Sequence, residues 1–448
     1  MNETHDIDAQ VHALLGGDKL VAAALEPKTA QLHLAPKRGV LGDSFRAGRI
    51  AAGVILGLLA IFSTVVVSYG LRRRAAARAE QVATELSTFA ATGGAEGASE
   101  LLDELAANTE LDPAHRAIVA RAEATLYRGF NGDPAHLDRV RAALQGSPLP
   151  EHDLVVVEGL VTSCGDRLRL LPRLAALGAN SDDPMVPFLM GTALARAGSA
   201  QQATAAFERA LELEPSNLEF LATLAAHRVQ VGEVDEAIEL LDVMREVDPT
   251  SAWTLQLTAL LGQPLPEVEE PHTVPVAEAW GLVYAAAAGV ARNDLAAAQA
   301  KLTSAVERVH TQAAFQVDFA DYLLTRGQPQ AARWIVEAES WADDTPSARA
   351  TRGRLLLAQG RVADAATVLG EAVDAGFADP ITGLAYLEAL GASGGVPDTA
   401  RRFARELATA WPDRPDVAAA AGIKDETPKT GKKPKQQRRR SAKRARRR

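Results

Sequence analysis

The pentapeptide Gly391-Ala392-Ser393-Gly394-Gly395 has the spacing of a nucleophile elbow, in which a serine on a strained strand-to-helix turn attacks an acyl carbon. That chemistry needs a strand before the serine. Here helical periodicity flanks the motif on both sides, so the sequence predicts a glycine-rich turn between two helices. The other candidate nucleophile is Cys164, next to Gly165. It reads as a residue at a turn, with a reactive thiol as the alternative. A single cysteine excludes an internal disulfide framework and any multi-cysteine metal site. The nine histidines are scattered without metal-ligand spacing, and neither H-E-x-x-H nor G-x-x-x-x-G-K-[ST] occurs. Acidic pairs such as Asp182-Asp183 and Glu269-Glu270 read as solvated loop charges. The expectation is a non-catalytic chain with no cofactor and no metal.

What would position any site is helical. Hydrophobic residues make up 47% of the 448 residues but aromatics only 5%, so the apolar content is mainly Ala, Leu and Val, suited to closely packed helices. Runs such as EQVATELSTFA, RAIVARAEATLY and RGRLLLAQG place apolar residues at i, i+3 and i+4. No run alternates as a strand would.

Before this helical region lies a different segment. Residues 1–48 are polar and mixed, and no cleavable signal peptide is visible. Residues 49–72 are expected to form a transmembrane helix. Ile50 to Leu71 is 22 residues without a charge, bracketed by Arg49 and Arg72-Arg73-Arg74. At 1.5 Å per residue it spans roughly 33 Å, about the hydrocarbon thickness of a bilayer. Gly53 and Gly57 form a G-x-x-x-G pair. It either lets two copies approach as a homodimer or reflects the ordinary abundance of glycine in membrane helices. Lys37, Arg38, Arg46 and Arg49 precede the segment; Arg72, Arg73, Arg74 and Arg78 follow it. The tighter downstream cluster favours a cytoplasmic C-terminal part. Against that, the four upstream cations resist export. The expected location is a cell (inner) membrane crossed once, and the Ala-rich composition without an organelle signal suggests a bacterial chain.

Beyond Ala75, Gly or Asn punctuates the helices at Gly97, Gly132, Gly165, Gly198, Gly232, Asn293, Gly327, Gly360 and Gly395. The spacing stays at 33–35 residues except for one interval of 61. That interval contains QPLPEVEEPHTVP, whose four prolines break helices. The expected organisation is a first half at 75–262, a Pro-rich connection at 263–275, a second half at 276–422 and a disordered basic tail at 423–448.

A period near 34 resembles the tetratricopeptide repeat family, with its best match at Pro184–Asn217. Gly191 stands where a second helix crosses closely, Gly198 ends the first helix, Ala203, Phe207 and Ala210 share a seam, and Pro215 stops the second helix. The next unit keeps Ala225, Gly232, Ala237 and Pro249. The resemblance implies an all-α fold: a right-handed α-solenoid of helix-turn-helix repeats, here preceded by one transmembrane helix. It also implies a concave face lined by first helices that binds peptides or helices of other proteins. By the family's spacing, Met185, Phe188, Thr192 and Arg196 point into that groove, followed by Glu219, Ala222, Ala226 and Gln230. Thr192 and Ala226 stand where one family mode has asparagines that clamp a carboxylate, so that mode is absent. Phe188 and Arg196 either anchor a partner or are a core ring and a solvated charge.

The tail adds a second activity to consider. From Lys429 to Arg448 there are 12 Lys or Arg and no acidic residue. Without them the remaining chain has 36 basic against 57 acidic residues. Lys432, Lys433, Lys435, Arg438, Arg439, Arg440, Lys443, Arg444, Arg446, Arg447 and Arg448 are the polyanion-binding candidates. They suit a nucleic-acid backbone, an anionic lipid surface or the chain's own acidic array. The alternative is a solvated tail that aids solubility. Two functions follow: a membrane-anchored scaffold that binds proteins, or a membrane-tethered polyanion binder.

Overall fold

The structure is a computed structural model. It describes residues 113–420 except 130–133, 146–148, 179–180, 266–273, 342–344 and 378, together with residues 69, 70, 73, 74, 77, 78 and 81. The chain divides into two units, Met1–Arg73 and Arg74–Arg448, and the second holds every helix labelled below. The predicted membrane segment lies outside the described residues, apart from Tyr69 and Gly70. Among the described residues no helix is long and apolar enough to cross a membrane. Gly53, Gly57 and the whole basic tail also lie outside the described residues.

The described elements are helical, with no β-strand among them. They are α1 (Pro113–Gly129), α2 (Pro134–Gln145), α3 (Glu151–Val161), a 3-10 turn (Asp166–Leu170), α4 (Leu171–Gly178), α5 (Met185–Ala197), α6 (Ala200–Leu213), α7 (Leu218–Val231), α8 (Val234–Val247) and α9 (Ala252–Leu260). After the connection come α10 (Pro275–Ala291), α11 (Leu295–Arg308), α12 (Ala313–Thr325), α13 (Pro329–Val336), α14 (Pro346–Ala358), α15 (Val362–Asp374), α16 (Pro380–Ala392), α17 (Asp398–Ala410) and α18 (Pro415–Ala420).

Most are paired as neighbours: α1 with α2, α5 with α6, α7 with α8, α10 with α11, α12 with α13, and α14 with α15. The pairing is steric. A Cβ on Gly191 of α5 would stand 2.6 Å from the Phe207 ring of α6, so only glycine admits that crossing. Ala203, Phe207 and Ala210 recur at helical spacing and are all buried. Burying Phe207 stabilises by about 1.5–3 kcal/mol. The turn after α5 closes in a left-handed residue, Gly198 at φ 78°. There Ser199 N–H donates to the Leu194 carbonyl at 3.0 Å, which satisfies a helix-end acceptor. Asn293 takes the equivalent place after α10 with φ 62°, a conformation asparagine tolerates.

Helix starts are written just as locally. Asn217, Asp294, Thr345 and Asp379 each accept a backbone N–H from the first turn they precede. Proline occupies the first turn of α10, α13, α14 and α16, where no helical N–H is lost.

Two places depart from the period. Gly165 is not a left-handed turn residue; its φ is −67°, and it leads into the 3-10 turn before α4. In the long interval, α9 packs on α7 behind it and on α10 ahead. It is a first helix followed directly by the next first helix. The apolar core does not stop there: one cluster holds Leu241 and Met244, then Leu257, then Val276 and Leu302. The two halves are therefore one continuous array.

Candidate functional site

The array curls so that its first helices face a shared interior. Cys164 N–H donates to Asp318 at 3.0 Å, Ser347 Oγ to Asp166 at 3.0 Å, and Tyr127 Oη to the Thr311 carbonyl at 2.7 Å. These partners are 154, 181 and 184 residues apart in sequence. Between the walls lies a cavity of about 220 Å³. Its lining comes from α1, α5, α7, α9, α10, α12 and α16, which are first helices, from the turn at Cys164 and Arg167, and from Phe207 of α6.

Six of the eight groove residues predicted from spacing line this cavity: Phe188, Thr192, Arg196, Glu219, Ala226 and Gln230. Ala222 is buried in the core between repeats. Met185 is half-buried against the core of the first repeats and does not reach the cavity.

Their chemistry differs from that of open groove residues. Phe188 is fully buried, stacked on Phe220 at 4.5 Å with the Arg128 guanidinium 5.5 Å above its ring. Thr192 accepts from Arg167 Nη1 at 2.5 Å and donates to the Leu189 carbonyl. Glu219 is ion-paired with Arg128. Arg196 is neither a solvated charge nor an open anchor. It bonds Asp321 at 2.5 Å and Asp379 at 3.2 Å, and its side chain is 8% exposed. Only Gln230 is exposed, at the rim beside Thr325 and Arg326.

The opposite wall carries residues the repeat spacing does not single out. Trp280 meets Phe319 edge-on at 4.6 Å and Tyr322 at 5.9 Å, and Tyr284 meets Tyr322 at 5.1 Å. A usable signal was present: Trp280 and Tyr284 are one helical turn apart on α10 in a chain with few aromatics. Asp318 and Asp321 were also readable, as two acids three apart in the otherwise apolar AAFQVDFADYLLT.

Burial dominates the electrostatics. It pushes the Asp318 carboxyl up to about 7; the Arg167 charge opposes this and the Asp321 charge adds to it. Burial, with the Asp318 charge, pushes the Cys164 thiol up to about 12, the opposite of activation. Around Arg196 burial disfavours the charge, but Asp321 and Asp379 outweigh it and hold the guanidinium protonated. Asp321 also takes Arg354 at 2.6 Å and Thr351 at 2.8 Å, so α5, α12, α14 and the start of α16 meet at one ionic node.

At the sequence motif for acyl chemistry, Ser393 ends α16 and its hydroxyl donates to the Leu390 carbonyl. A helix, not a strand, precedes it. Among the described residues no group of three or more His, Cys, Asp or Glu is placed to hold a metal ion. The interior is arranged for binding: aromatic walls, buried polar atoms and a polar rim.

Residues 194–260 match the tetratricopeptide repeat family, from within α5 to the end of α9. No curated protein matches the chain. Among solved structures 24 chains match. One is the crystal structure of yeast Tom70, 16% identical, with the match covering 73% of this chain and 61% of that chain at a TM-score of 0.26. The chain thus spans less than two thirds of the length of that protein.

Proposed function

We propose that this protein is a membrane-anchored, non-catalytic scaffold whose helical repeats engage another protein at the mouth of the interior cavity. The observation that carries the reading is the convergence of first helices from both halves on that one cavity, with exposed Gln230, Thr325 and Arg326 at its edge. The ionic node below the rim leaves the mouth, not the full length of the concave face, as the docking place. Membrane anchoring rests on the uncharged segment from Ile50 to Leu71.

Affinity capture from detergent extracts tests the scaffold. The full chain, a form ending at residue 422, and the rim double substitution Gln230→Glu with Arg326→Glu are compared. The expected result is partners kept after tail removal and lost with the rim substitutions, at unchanged helical circular dichroism. Partners that survive the rim substitutions would refute docking at the mouth. Membranes washed at high pH should retain the full chain and release a form starting at residue 75.

The second reading rests on the 12 basic residues from Lys429 to Arg448, among which no acidic residue falls. It predicts duplex DNA or anionic vesicle binding that weakens steeply with salt and vanishes on deleting residues 429–448.

A further inference from the structure

Gly165 keeps the glycine of the repeat but not its left-handed turn, so backbone conformation does not explain it. Close approach does. A Cβ there would stand 3.0 Å from the Ser347 Cβ of α14 and 3.1 Å from the Phe377 ring. The turn at residues 163–166 is therefore seated on the opposite wall too closely for a larger residue to enter without a shift.

The seat is polar. The Ser163 and Ser347 hydroxyls lie 2.8 Å apart, and both reach Asp166, at 2.9 and 3.0 Å. The Ser347 N–H donates to Asp166 at 3.3 Å, which puts a carboxylate at the start of α14, where the helix dipole favours it. The Cys164 N–H donates to both carboxyl oxygens of Asp318 on α12, at 3.0 and 3.3 Å. Ser163, Asp166, Asp318 and Ser347 are all buried. By contrast, the buried residues of the two large apolar clusters fall within 117–224 and 218–355, and neither cluster includes the turn. Parting the turn from α12 and α14 breaks hydrogen bonds and leaves both clusters intact. Cys164 and Asp318 both line the cavity, so parting them opens its wall.

One of these bonds depends on a proton. Asp318 is buried, and the cations around it are committed elsewhere. Arg167 donates to the Gly159 and Thr162 carbonyls and to Thr192. Arg196 of α5 is held by Asp321 and Asp379, Arg354 of α14 by Asp321, and Arg333 of α13 by Glu337. Asp321, on the same helix, opposes a second negative charge, and burial keeps Cys164 and the Tyr284 of α10 neutral. A carboxylate buried without a bonded cation is costly, which is why burial pushes Asp318 up to about 7. Opening the turn hydrates the carboxyl and returns it to the ordinary range near pH ~4. The closed form then holds the proton more tightly than the open one. Opening becomes easier by about tenfold per pH unit between about 4 and 7, and levels off above.

We propose that residues 163–166 are a latch across the interior, closed over a protonated Asp318 and released as that carboxyl ionises. Acid tightens the latch, and at neutral pH it is at its loosest. This goes beyond the scaffold reading and does not rest on it.

The test is hydrogen exchange of the detergent-solubilised full chain from pH 4 to 8, corrected for intrinsic amide rates. Protection of the Cys164 and Ser347 amides should fall together, about fiftyfold between pH 5 and 7, and change little above 7. Asp318→Asn keeps an acceptor for the Cys164 N–H and removes the charge, so protection should stay flat across the range. Gly165→Ala leaves the backbone unstrained, at φ −67°, and disturbs only the seat. It should lower protection of both amides about tenfold at every pH and keep the slope. Low urea separates latch opening, which exposes little surface, from global unfolding, which exposes much. The two latch amides should hold their protection there while the amides of α6 lose theirs. Three results would overturn the proposal: one urea dependence shared by the latch and α6, a pH slope retained in Asp318→Asn, or protection unmoved by Gly165→Ala.

Discussion

The seam between α5 and α6 and the interior beneath α5 are two sides of one helix, and they are built on opposite rules. The seam is apolar and sterically tight: Gly191 against Phe207, with Ala203 and Ala210 beside it. Its partners lie within one repeat. The interior is polar and ionic: Arg196 reaches Asp321 and Asp379, 125 and 183 residues onward. The seam can recur because each pair of helices meets the same local problem. The interior node cannot, because its parts come from four different repeats. A repeat array thus separates what holds each unit together from what makes the whole array particular.

Substitutions can break this contrast. The largest expected effect is in the seam: Phe207→Ala leaves a cavity facing Gly191 and should lose about 3–5 kcal/mol in urea unfolding. Arg196→Ala should lose about 3 kcal/mol, because Asp379 is left buried without its cation while Asp321 keeps Arg354. The two should also differ in where protection is lost. Hydrogen exchange should rise in α5 and α6 for Phe207→Ala, but in α12 and the start of α16 for Arg196→Ala. Equal patterns would mean the two regions are not separable. Gly191→Ala should cost about 2 kcal/mol by forcing the Phe207 ring aside.

The smallest effect sharpens the interior side. The folded-state pKa of Asp318 is raised, so the native state holds its proton more tightly than the unfolded chain does. The stability that this proton contributes is full below about pH 4 and is lost as pH rises through about 7. Asp318→Asn should flatten that part of the stability curve, measured by urea unfolding from pH 4 to 8. An unchanged curve would show that the carboxyl is not the group responsible.

Much of the seam was legible in the sequence, and little of the interior was. Glycine at 191 and 198 and alanine at 203 follow from steric limits that act over a few residues, so spacing reveals them. The same spacing brought Phe188, Thr192, Arg196, Glu219 and Gln230 to one cavity, but it misjudged their state. Phe188 is covered by Arg128, and Arg196 is already held, by residues no local pattern connects to them. The long interval was legible as a break, since its prolines forbid a helix. That α9 is a first helix without a second was not, because only packing on α7 and α10 defines it.

Arg414, at the start of α18, donates to the carbonyl of Ala197, the last residue of α5. A contact spanning 217 residues has a consequence for synthesis. At a ribosomal rate of about 5–20 residues per second, the end of α5 waits roughly 10–40 s for its donor to be made. During that delay the early repeats are exposed with their inner faces uncovered. A nascent chain arrested before residue 414 should therefore be more sensitive to protease around α5 than the finished one.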